Sequence, residues 1–152
     1  MAPWLRAVAV TAVVIALDQA TKALVRANIE LGDRDGILPG VELVHVRNEG
    51  VAFSRFSGGG AVVTLIVAAA LLALLAYFVT HLHKPLVWLP TGMLIGGALG
   101  NIIDRVRDGA VTDFIKLPAW PAFNVADMAI TFGVLILLYV TERPRDGAAR
   151  DA

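Results

Sequence analysis

Four long apolar runs constrain this chain more than any other feature of it. A helix that crosses a hydrocarbon core about 30 Å thick needs roughly 20 residues, each rising about 1.5 Å. Ala7 to Val25 is apolar apart from Thr11 and a polar cluster near its end, and Ala61 to Thr80 carries no charged residue. Leu86 to Ile103 follows the short polar break His81-Leu82-His83-Lys84-Pro85, and Val125 to Val140 precedes a charged tail that starts at Glu142. The expectation is an all-α membrane protein with four transmembrane helices, one domain over residues 1–152, and both termini on the same side. Composition agrees: 57% of residues are hydrophobic, against about 45 to 50% in soluble domains, which is more than a small soluble core can hide. The run after Arg6 has the look of a signal peptide, but Asp18 interrupts it and no small-x-small cleavage site follows, so it is expected to be retained.

The links between spans are unequal. Arg26 to Gly60 is long and mixed in charge, and Ile37 to Arg47 interleaves apolar and polar residues as a strand does, which predicts a small sheet outside the membrane. In the second link, Asp104 to Phe123, Asp108-Gly109 is a turn signal, Val111 to Leu117 has strand character, and Pro118 and Pro121 break it, so a short hairpin is expected there. The Lys and Arg count taken alone puts the long links in the cytoplasm. That bias is weak, because Arg34, Arg47 and Arg55 are intermixed with Glu30, Asp33, Asp35, Glu42 and Glu49.

Ionisable residues inside spans are the informative ones, since each costs about 2.5 to 3.5 kcal/mol at the centre of a membrane helix. Asp18, Thr21 and Lys22 share a helix face at i, i+3 and i+4, where Asp18 and Lys22 can pair; an interfacial pair snorkelling at the helix end is the plain alternative. Gly92, Gly96 and Gly100 form a smooth row that leads to Asp104, a pattern that lets another helix approach closely. Asn101, Asp104 and Arg105 crowd the end of that helix, as a polar site or as caps and anchors. Asn124 suits an N-cap, which leaves Asp127 one turn inside the fourth span with Thr131 on the same face. Asp113 lies in the preceding link. Two carboxylates brought together form a candidate acid and base pair, because they share one proton.

Other chemistries lack their residues. Zero net charge argues against a nucleic-acid partner. There is no Cys, the three histidines His45, His81 and His83 supply no His-Glu-x-x-His, and neither Ser54 nor Ser57 lies in Gly-x-Ser-x-Gly. No metal and no cofactor are expected. A small transporter or proton-relay subunit is the alternative, although the apolar second span and the one-sided charges leave it no continuous polar path.

Five ordered blocks carry a resemblance. Asp18-Gln19-Ala20-Thr21-Lys22, Asn48-Glu49-Gly50-Val51-Ala52-Phe53, Gly97-Ala98-Leu99-Gly100-Asn101-Ile102-Ile103-Asp104-Arg105, Val111-Thr112-Asp113-Phe114 and Phe123-Asn124-Val125-Ala126-Asp127 resemble the signature of the lipoprotein signal peptidase (signal peptidase II) family. The resemblance implies an intramembrane aspartic protease of the bacterial inner membrane, with cytoplasmic termini and an extracytoplasmic β-containing region. Its implied substrates are diacylglyceryl prolipoproteins, cut before the lipidated Cys, among membrane lipids, and its implied inhibitor is the cyclic peptide globomycin. By the same resemblance Asp113 and Asp127 are the catalytic residues, and Asp18, Lys22, Asn48, Gly50, Asn101, Asp104, Arg105 and Asn124 frame the substrate site.

Overall fold

Each of the four apolar runs becomes a helix, and the ends are set by local chemistry. The computed structural model describes residues 1–49, 59–81 and 84–142. Helix α1 (Pro3–Asn28) starts with Pro in its first turn, where the missing N–H has no intrahelical partner to lose, and carries Arg26 in its last turn. Helix α2 (Gly59–Thr80) follows, and then α3 (Trp88–Asp108), which begins two residues after the expected Leu86 because Leu86 itself sits at φ +65° and breaks the helical path. Gly109 ends α3 in the left-handed conformation at φ +74°, with its N–H bonded to the Arg105 carbonyl at 3.0 Å. Helix α4 (Val125–Glu142) closes the described chain.

Between helices, β1 (Arg34–Leu38), β2 (Val41–Asn48) and β3 (Val111–Lys116) form one antiparallel sheet in the order β1-β2-β3. The second link therefore does not make a hairpin of its own. Its strand pairs with β2, which gives the free edge of β2 a partner for its backbone groups, and Phe123 returns only to an isolated bridge with Ile115. The register sets Val46 opposite Asp113, Arg47 opposite Thr112 and Asn48 opposite Val111. Alternation then sends Asn48 and Asp113 to one face of the sheet, and His45, Arg47 and Thr112 to the other.

Helix α3 is the centre of the bundle: it packs on α1, α4 and α2, and its C-terminal end meets β3. The glycine row predicted on it faces α1, where a Cβ at Gly92 would stand 2.7 Å from the Ala7 carbonyl oxygen and one at Gly96 2.8 Å from Val14 Cβ. Gly97 does the same for α4, its missing Cβ lying 2.5 Å from the Ala126 carbonyl oxygen. Small residues thus bring both neighbours to near backbone contact, as in membrane helix pairs. Helices α1 and α4 have mean hydropathy 1.7 over 18-residue windows of which only 17% and 22% are buried, so their apolar surface faces outward and not into a core. Leu17, Leu24, Phe132 and Leu135 are each more than half exposed. The protein is thus mostly helical with a small sheet, and at least two of its helices are long and apolar enough to cross a membrane.

Candidate active site

Three element ends and one strand converge on a buried polar cluster: the C-terminal halves of α1 and α3, the start of α4, and β3. Lys22 is wholly buried, and its ammonium lies 2.8 Å from Asp18 Oδ2, 3.0 Å from Asp104 Oδ2 and 2.9 Å from Asn101 Oδ1. Gln19 lays its amide across the same acids, donating to Asp18 Oδ2, Asp104 Oδ1 and the Gly100 carbonyl. The remaining lone pairs are taken by backbone. Asp18 Oδ1 accepts from the Ala126 N–H at 3.0 Å and Asp104 Oδ2 from the Thr112 N–H at 3.1 Å. A charge this deep is tolerable only with every partner in place, and this one ties α1, α3, α4 and β3 together.

The second half of the cluster is organised by Asn124. Its Nδ2 donates to Asp113 Oδ1 at 2.7 Å, and to Asn101 Oδ1 and the Thr112 carbonyl at longer range. Its Oδ1 accepts from the Asp127 N–H at 3.0 Å, and its own N–H donates to Asp127 Oδ2 at 3.3 Å. That reciprocal pair is a capping box at the start of α4, and it explains why Asn and Asp stand three residues apart. Asn101 joins the halves, because the Lys22 ammonium can only donate: Oδ1 must face it, which turns Nδ2 toward Asp127 Oδ1 at 2.8 Å.

The two carboxylates sit in unlike surroundings. Asp113 is 2% exposed and also accepts from Asn48 Nδ2 at 2.9 Å. Burial pushes its carboxyl up to about 6; the nearby Asp127 carboxylate adds to the rise, while the bonds from Asn48 and Asn124 and the charge of Lys22 oppose it. Asp127 is half-buried and opens on a cavity of about 320 Å³ lined by Leu117, Trp120, Phe123, Met128, Thr131 and Phe132. An apolar trough with one carboxylate in its wall and a second, more deeply set, behind Asn124 suits acid and base work on an apolar ligand.

The comparisons with known proteins bear on which chemistry this is. The family model described as signal peptidase (SPase) II matches residues 10–142. The chain belongs to the signal peptidase II family. Among its curated relatives, the lipoprotein signal peptidase of Moorella thermoacetica is 39% identical over 142 residues, covering 91% of this chain and 93% of the relative. That of Halothermothrix orenii is 36% identical over 140 residues, covering 91% and 97%. A bacterial membrane enzyme solved by the in meso method at 1.9 Å superposes with TM-score 0.85 at 29% identity, covering 91% of this chain and 94% of that one. A second, at 2.3 Å, gives 0.79 at 30% identity, covering 92% of each.

Signal peptidase II is a protease family, so the transporter and relay reading is set aside. Of the residues singled out in the sequence, Asp18, Lys22, Asn48, Asn101, Asp104, Asp113, Asn124 and Asp127 share one network. Lys22, Asp18 and Asp104 are sealed in it and hold it from behind. Among the described residues Arg105 reaches only the Asn101 carbonyl on its own helix, at 3.4 Å, and Gly50 lies outside the described residues. Thr21 turns its hydroxyl back to the Leu17 and Asp18 carbonyls. Sequence reasoning quoted Gln19 and Thr112 within the resembling blocks but gave neither a role in the site. An uncharged amide next to Asp18 inside an apolar run was the available signal for the first; nothing local marked the second.

Proposed function

We propose that this peptidase is a membrane aspartic endopeptidase that cleaves diacylglyceryl prolipoproteins on the N-terminal side of the lipidated Cys, with Asp113 and Asp127 as its acid and base. The observation that carries the reading is that Asn124 bonds both carboxyls, Asp113 Oδ1 through its side-chain Nδ2 and Asp127 Oδ2 through its backbone N–H, one carboxyl shielded and the other open to the cavity. Asp127, ionised, takes a proton from a water whose oxygen attacks the scissile carbonyl. Asp113, acting in the neutral form that burial favours, gives its proton to the carbonyl oxygen. Collapse of the tetrahedral intermediate breaks the C–N bond, the proton held by Asp127 passes to the departing nitrogen, and Asp113 recovers its own. The products are a signal peptide with a free carboxyl and a lipidated Cys with a free amine, and no step draws on a metal or cofactor.

The trough of Leu117, Trp120, Phe123, Met128 and Phe132 beside Asp127 holds apolar parts of the substrate, and globomycin competes for it. All four helices span the bacterial inner membrane in this reading. The 22 uncharged residues of α2 and the glycine-lined α3 support it, and the termini lie in the cytoplasm with the sheet and both aspartates at the outer face. Purified protein in detergent is expected to cut a lipidated precursor at an undiminished rate in the presence of a chelator, and to leave the same precursor with Cys replaced by Ser uncut. Equal cutting of both precursors would overturn the substrate class.

A further inference from the structure

The trough beside Asp127 is lined mostly with carbon, but among the described residues in its wall Thr131 alone brings a hydroxyl. Thr131 shares a face of α4 with Asn124 and Asp127. A threonine in an apolar helix ordinarily turns its hydroxyl back to a carbonyl three or four residues earlier, because an unmade hydrogen bond is costly away from water. The other threonines whose side chains are described all have a partner. Thr21, Thr80, Thr91 and Thr141 bond carbonyls of their own helices or one turn back, Thr11 donates to the Gly92 carbonyl, and Thr112 accepts from Arg26. Among the described residues Thr131 Oγ1 has none, not even the Asp127 carbonyl one turn back. The side chain is exposed and lines the trough, so its donor is left for a ligand.

The ligand that matches such a wall is apolar and carries an isolated oxygen acceptor. A phosphate or carboxylate would meet the Asp127 charge with no cation among the described residues of the lining. An extended peptide brings as many N–H groups as carbonyls, and the wall offers them a single hydroxyl. An ester has acceptors, no donor, and hydrocarbon attached. Position agrees with this choice. Four residues along α4 put Thr131 about 6 Å farther into the apolar span than Asp127. On the proposed function, on which this inference rests, the substrate's glyceryl esters hang inward from the scissile nitrogen through the Cys side chain, its sulfur and the glyceryl carbons, a reach of the same order. We infer that Thr131 determines specificity for the lipid by donating a hydrogen bond to an ester carbonyl of the diacylglyceryl group. Met128 and Phe132, exposed beside it in the same wall, take the first carbons of the acyl chain.

The test uses two fluorescent peptides that begin with a glyceryl-modified Cys, one carrying two acyl esters and the other two alkyl ethers of equal chain length. Their binding to the full-length protein in detergent is read by fluorescence anisotropy. Partition into micelles is common to all variants, so it cancels when the ratio of ester to ether affinity is compared between them. Thr131→Val keeps the shape and removes the donor, and is expected to lower that ratio about fivefold, the worth of one neutral hydrogen bond. Thr131→Ser keeps the hydroxyl and should keep the ratio. An unchanged ratio in Thr131→Val, an equal loss of both peptides in that variant, or binding of neither peptide by wild type would each overturn the inference. Phospholipid carries the same esters, so diacyl phosphatidylglycerol is added in a further arm. It is expected to leave the ratio unchanged, and abolition of the ester preference would assign the hydroxyl to ambient lipid instead. Both peptides lack a bond to cut, so a protein that shows the preference yet cleaves no precursor would fail the aspartate chemistry and leave this inference standing.

Discussion

Asp113 and Asp127 are chemically identical residues given different surroundings by two short stretches of chain. Because Asn is close to Asp in shape and keeps a hydrogen-bonding oxygen, Asp113→Asn and Asp127→Asn are expected to fold and to retain globomycin while losing cleavage. A variant that kept about a tenth of the wild-type rate would have lost only about 1.4 kcal/mol of barrier stabilisation, too little for a group that moves the proton. The double variant should be scarcely slower than either single one, since the two act as a unit. The environment makes a second, signed expectation. The Asp127 carboxylate helps to hold Asp113 up near 6, so in Asp127→Asn the Asp113 carboxyl band in infrared titration should move to lower pH. Movement upward, or none, would show that the two do not sense each other.

At the same scale, the buried and exposed ion pairs should behave oppositely. Lys22→Met leaves Asp18 and Asp104 without their cation in a sealed site, and should destabilise by about 3 to 5 kcal/mol in thermal or denaturant unfolding. Arg34→Gln removes a pair 3.8 Å long between exposed groups, and no change in melting temperature is expected. The sequence made the Asp18 and Lys22 pairing legible, because i and i+4 residues share a face. It did not make the burial legible, because what seals Lys22 is Asp104 and Asn101 on α3. Asp127 was marked by its depth in an apolar run, whereas Asp113 sits in a link where an Asp is ordinary, and its pairing with Asp127 was only a candidate until the resemblance matched both.

The elements differ in how much of themselves they show beforehand. Helices announced their existence through uncharged length, and α3 announced its close packing through glycines four apart, which α1 indeed covers. Strand β3 was read as a strand in a short hairpin of its own link, of which the structure keeps one bridge, Ile115 to Phe123; its pairing with β2 is a long-range choice that no local signal marks. The packing of α3 can be separated from its capping. At Gly97 a new Cβ would lie 2.5 Å from the Ala126 carbonyl oxygen and 2.8 Å from Ile130 Cγ1, so Gly97→Ala must push α4 away and should cost about 1 to 3 kcal/mol. At Gly109 nothing stands within 4 Å of the added carbon, and Gly109→Ala pays only for its left-handed backbone, roughly 1 kcal/mol. Unfolding in detergent should rank them in that order, with activity falling mainly in Gly97→Ala, because Ala126 and Asp127 move together.

For the whole molecule, the arrangement of polar groups argues for an orientation that charge counting does not give. The C-terminal ends of α1 and α3, the N-terminal end of α4 and the sheet all lie at one end of the bundle, and the buried network knits that end together. Chain order then puts the start of α1, the turn before α3 and the end of α4 at the opposite end. On the proposed function the aspartates act where the exported peptide is, at the outer surface, and the orientation this proposes has the sheet end facing out and both termini in. The Lys and Arg count of the long links points the other way. Single Cys variants of this Cys-free chain can decide the matter. Asp35, exposed on β1, and Lys84, in the turn before α3, mark the two ends. With a membrane-impermeant thiol reagent on intact spheroplasts, Asp35→Cys is expected to label and Lys84→Cys to label only after lysis. The reverse pattern would turn the molecule over, and would place the aspartates on the side that exported precursors have already left.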